Sequence, residues 1–132
     1  MSTELGIRTR LNLSYPEALA KTIEALKKEG FGVLTEIDVQ ATLKQKLNVD
    51  FCRYIILGAC NPPLAHRALL AHLDIGLMLP CNVTVHEEEG DGVVVTAVSP
   101  LAMLGIVQQP EMLDIAREAE DKLRRVIASL NT

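Results

Sequence analysis

A chain of 132 residues has the length of one ordinary domain, and 48% hydrophobic residues suffice for a sizeable core. Two Phe, two Tyr and no Trp make that core aliphatic. With 17 acidic against 13 basic residues, the formal charge of −4 argues against nucleic acid as a partner, which asks for basic charge and stacking rings. The longest apolar runs, such as Ile75 to Pro80, are far too short to cross a bilayer, so no membrane is expected. Met1 to Glu4 carry no secretory pattern, and three cysteines outside any disulfide framework fit a reducing compartment. One domain over 1–132, cytoplasmic, is the expectation.

Gly6 to Leu13 alternates, with Ile7, Thr9, Leu11 and Leu13 on one side and Arg8, Arg10 and Asn12 on the other, as a half-buried strand does. Ser14 to Glu17 has the form of a capping box, in which hydroxyl and carboxylate each meet an orphan backbone N–H. Leu19, Ile23 and Leu26 give the next helix its apolar stripe, and Gly30 ends it. Phe31 to Ile37 is a second strand. Asp38 then caps a short helix with Val39, Leu43 and Leu47 on one side.

Arg53 to Ala59 is apolar on both faces beyond its arginine, which places it centrally in the sheet. Asn61-Pro62-Pro63 opens a third helix, since Asn caps well and Pro suits the first turn. Asp74 to Pro80 is a helical turn or a loop with Leu77 and Leu79 buried. Cys81 to Glu87 alternates again, with Cys81, Val83 and Val85 inward and Asn82, Thr84 and His86 opposite. Glu88 to Gly92 is a hairpin turn, and Val93 to Val98 the returning strand. Leu101 to Val107 is an apolar connector without period. Pro110 starts a long helix with Met112, Ala116, Ala119, Leu123, Val126, Ile127 and Leu130 on its buried side. Crossover helices mixed with a hairpin require antiparallel pairing, with helices over one face of the sheet, an α+β class.

Three segments carry a family likeness: Gly30 to Asp38, Tyr54 to Pro62, and Leu79-Pro80-Cys81-Asn82-Val83. With them the chain resembles a bacterial and archaeal family, domain of unknown function 302, over most of its length. The resemblance implies a single curved, largely antiparallel sheet of about five strands backed by helices, grouped with TATA-binding-protein-like folds. It implies no DNA binding, because fold is not function.

The chemistry concentrates where a strand turns into a helix at Cys60-Asn61. A thiol at a helix start meets free N–H groups and a partial positive charge, which favour the thiolate. Cys60 is the candidate nucleophile and His66, about one turn further on, its candidate base. The plainer reading makes Cys60 a small apolar filler and Asn61 only a cap. The paired Cys-Asn motifs suggest one pocket lined by Cys60, Asn61, Cys81 and Asn82, with Glu36 as a further candidate ligand contact. No spacing matches a metal site, and no cofactor is identifiable. A small-molecule binding or regulatory module is the leading expectation. A thiol-dependent enzyme or redox protein, and a homodimeric interaction protein that covers a sheet edge, are the alternatives.

Overall fold

A computed structural model describes residues 4–90 and 92–131. Asp91, which the sequence places in the hairpin turn, lies outside the described residues. The strands are β1 (Gly6–Leu11), β2 (Gly32–Asp38), β3 (Tyr54–Cys60), β4 (Cys81–Glu87) and β5 (Val93–Val98). The helices are α1 (Tyr15–Lys28), α2 (Val39–Leu47), α3 (Pro62–Ala71), α4 (Pro100–Leu104) and α5 (Pro110–Ser129), with a 3-10 helix at Leu73–Met78. The strands form one sheet in the order β1-β5-β4-β3-β2, antiparallel throughout. Helices pack on one face of this α+β sheet, which does not close into a barrel.

Local chemistry explains most boundaries. The Ser14 hydroxyl accepts from the Glu17 N–H at 3.3 Å and itself donates to the Glu17 carboxylate at 2.8 Å. Gly30, at φ +85°, supplies the left-handed residue that lets the chain leave α1 and enter β2. Asp38 caps α2 through the Ala41 N–H at 2.9 Å.

Three expectations change. Leu73–Met78 is a 3-10 helix in which Ile75 is buried and Leu77, expected inside, is 88% exposed. Three residues per turn put Ile75 and Met78 on one side and turn Leu77 away. The connector after β5 holds a helix: the Ser99 hydroxyl caps α4 through the Ala102 N–H at 3.3 Å, with Pro100 in its first turn. The third change is at α2, which has an apolar stripe in sequence yet buries no residue. It connects the terminal strand β2 to β3 and touches both, with Val39 and Leu43 half-buried and Leu47 exposed.

The interior is divided. A principal cluster joins the inward side chains of all the inner strands to α1 and the C-terminal half of α5, with Leu26, Leu57, Val83, Val85, Val95 and Leu123 at its centre. A second joins α3, the 3-10 helix, α4 and the N-terminal half of α5, around Ile75 and Met112. Glu120 sits at the division on α5. It is 3% exposed, and its carboxylate accepts from the Ser99 hydroxyl at 2.7 Å and the Leu101 N–H at 3.3 Å while pairing with Arg124 at 2.9 Å. A buried carboxylate is thus satisfied by tying α4 to α5.

Candidate functional site

Between the two clusters lies an apolar cavity of about 280 Å³. The ends of β3 and β4 supply Ala59, Cys60 and Cys81, and α3 supplies Leu64, Ala65 and Ala68. Leu104, Ile115 and Ala119 close the far side, with Phe31 buried at one end and Leu34, 68% exposed, at the rim. The cavity exists because the facing helix positions are alanine: Ala65 and Ala68 on α3 oppose Ala119 on α5 across a gap that larger side chains would fill.

The corner the sequence singles out forms one wall. The Asn61 side-chain oxygen accepts from the Leu64 N–H at 3.3 Å, as the cap of α3. Its amide nitrogen donates to the Glu29 carbonyl at 3.3 Å, so one buried side chain fastens the start of α3 to the end of α1. A Cβ on Gly30 would stand 3.0 Å from that nitrogen, on backbone already at positive φ, so only glycine fits comfortably beside the tie. Gly58 answers a second close approach: a Cβ there would meet the Thr35 hydroxyl and lie 2.8 Å from Pro80 Cγ. The glycines and asparagine shared by the family-like segments thus hold the cavity's end of the sheet together.

Cys60 and Cys81 both line the cavity and both are free thiols. Ala59 faces Cys81 across β3 and β4, so Cys60 lies one residue beyond that pair. Burial, and secondarily the neighbouring Cys60, push the Cys81 thiol up to about 11, which keeps it protonated through the neutral range. Cys81 packs against the principal cluster, inward as its alternation predicts.

The other candidates lie elsewhere. His66 is exposed on α3, whose inward positions are Leu64 and Ala68, and it is not among the cavity's walls. Asn82 is exposed and does not line the cavity; with Cys81, Leu77, Val98 and Met103 it borders a neighbouring cleft of about 150 Å³. The one pocket with four Cys-Asn contacts therefore reduces to Cys60, Asn61 and Cys81, because alternation sends adjacent strand residues to opposite faces. Glu36 is exposed on β2. His86 lies on the open face of the sheet, stacked on Tyr54 with centroids 5.2 Å apart and its Nδ1 buried without a hydrogen-bond partner among the described residues. Desolvation lowers its pKa, with Glu88 opposing and Arg8 assisting. Among the described residues no three His, Cys, Asp or Glu side chains gather as metal ligands. Ala116 and Ala119 were legible as buried helix positions, but nothing in their spacing told that Ala119 and the alanines of α3 would leave a space between the helices.

Such features define a small α+β protein with a one-faced antiparallel sheet and an apolar cavity where the sheet ends against two helices. More specifically, the chain belongs to the family described as Domain of unknown function DUF302, matched over residues 7–130. The crystal structure of an uncharacterised conserved DUF302 protein from Bacillus stearothermophilus is similar, with a TM-score of 0.87 and 30% identity over 96% of this chain and 98% of that one. No curated protein matches the sequence significantly. No helix is long and apolar enough to cross a membrane among the described residues.

Proposed function

We propose that the chain is a binding module whose cavity takes a small, predominantly apolar molecule. The observation that carries this reading is the lining. No Asp, Glu, Lys, Arg or His stands among the wall residues, and the one polar amide, Asn61, is already committed on both of its ends. Such a site offers area and shape and very little directional bonding, so it suits a ring system or a medium-length hydrocarbon chain. An apolar cavity of about 150 Å³ holds a single benzene ring, so 280 Å³ suits a molecule of about ten to twelve non-hydrogen atoms. The Cys60 thiol adds a soft, polarisable contact at the wall.

The same lining argues against the thiol-enzyme alternative. Nucleophilic catalysis needs a base within hydrogen-bond reach, and the cavity supplies none. His66, the candidate, is exposed outside it. The test is a thermal-shift and NMR titration with indole, 2-naphthol, octanol and octanoate. Saturable binding with chemical-shift changes confined to Phe31, Ala59, Leu64 and Ala119 is the expected result. No saturable shift with any of the four compounds at millimolar concentration would defeat the reading.

A further inference from the structure

The two edges of the sheet are finished differently. β1 buries four of its six residues, and its solvent side carries Arg8 and Arg10, the kind of charged edge that discourages further pairing. At the other edge, no residue from Gly32 to Ile56 is buried, the longest such run among the described residues. Within it Leu34, Ile37, Leu47, Val49 and Phe51 are between 44% and 68% exposed. β2 has neither Lys nor Pro, and after a bulge between Val33 and Thr35 it runs regularly to Asp38. As the terminal strand, it turns an outer row of backbone N–H and C=O groups away from the sheet. A nine-residue helix such as α2 is marginal unless something packs on it.

We infer that this edge is the interface with a second copy of the chain, β2 pairing antiparallel with its twin across a twofold axis. Charge selects the occupant. From Gly32 to Arg53 the acids Glu36, Asp38 and Asp50 are balanced by Lys44, Lys46 and Arg53, three against three, in a chain whose net charge is −4. A twofold contact sets a surface against itself, which a neutral surface carrying both signs permits and a uniformly acidic one resists. The edge also bears on the cavity, because Leu34 belongs to both the exposed strand and the cavity rim. The second copy therefore forms the outer wall of the binding site, a consequence that rests on the function proposed above.

Sedimentation and light scattering of the full chain at 10 to 200 μM test the interface without any ligand. The expected mass is twice 14.4 kDa. Ile37→Lys and, independently, Leu47→Glu are expected to return it to the monomer, while Leu73→Lys, at an equally apolar but distant exposed position, leaves it doubled. Amide exchange gives the geometry: Thr35 to Asp38 exchange at least tenfold more slowly in the wild type than in Ile37→Lys. A monomer at 200 μM, a dimer that survives both edge substitutions, or unprotected β2 amides in the dimer would overturn the inference. A dimer with these properties that binds none of the four cavity probes would leave the interface standing and remove the binding function alone.

Discussion

The principal and second clusters use the same aliphatic residues to different ends. The first, between the sheet and the helices α1 and α5, is filled: Leu26, Leu57, Val83, Val85, Val95 and Leu123 are all fully buried. The second is helix against helix and stops short of the first, leaving the cavity at the seam. Strands offer a regular lattice of inward side chains about 10 Å from whatever packs on them. Two helices joined at alanine positions can approach closely in one place and leave space in another. One helix, α5, serves both: Met112, Ile115, Ala116 and Ala119 point to the second cluster, Leu123, Val126 and Ile127 to the first, and Glu120 marks the change. The lesson is that the cavity is a property of how two packed layers meet.

The largest expected effect breaks the filled side. Leu123→Ala removes a fully buried side chain where neighbours relax little, and chemical denaturation is expected to show a loss of about 2–5 kcal/mol. A pair of insertions sharpens the contrast more directly. Ala18→Leu, in the principal cluster at 0% exposure, must displace packed atoms and is expected to cost about 1–3 kcal/mol. Ala119→Leu grows into the cavity, is expected to change stability by less than about 1 kcal/mol, and should abolish the chemical-shift response to the cavity probes. Equal destabilisation by the two insertions would show that the space between the clusters is not available to a ligand.

Smaller effects probe the connections. Asn61→Ala loses the cap of α3 and the tie to Glu29, with an expected cost of about 1–2 kcal/mol. Asn61→Asp keeps the cap acceptor and loses the amide donor, so it should recover part of that loss; identical denaturation midpoints for the two variants would show that the tie to Glu29 contributes all of it. The smallest effect is on the open face. Desolvation depresses the folded-state pKa of His86 below its ordinary 6.5, so the unfolded chain takes up a proton first as pH falls. The neutral histidine's contribution is whole above pH 6.5 and is lost as pH drops from there through the lower folded value. His86→Phe keeps the stacking on Tyr54 and should flatten that part of the stability profile; a profile unchanged between pH 7 and 5 would show that His86 does not govern it.

Much of the fold was legible. Period-two alternation located β1 and β4, the hairpin turn located β5, caps at Ser14, Asp38 and Asn61 located helix starts, and Gly30 located a helix end, because these signals are local to a few bonds. The inward Cys81 and outward Asn82 also followed from alternation alone. What the sequence could not carry was distance between elements. It placed His66 near Cys60 by counting residues, whereas the helix turns that side chain to solvent. It put Val39, Leu43 and Leu47 on one side of α2, whereas that side meets β2 and β3 unevenly, with Val39 and Leu43 half-buried and Leu47 66% exposed.

The corner at Cys60-Asn61-Pro62-Pro63 shows the boundary between the two kinds of information. Its backbone course, strand into capped helix, is determined by the sequence, since a cap and a proline act through their own torsions and nearest hydrogen bonds. That the thiol there faces an apolar space shared with Cys81, and not a histidine, was decided only by tertiary packing. The shape of that space depends on Ala68, Leu104, Ile115 and Ala119, residues remote in sequence whose separation is set by the sum of many side-chain volumes.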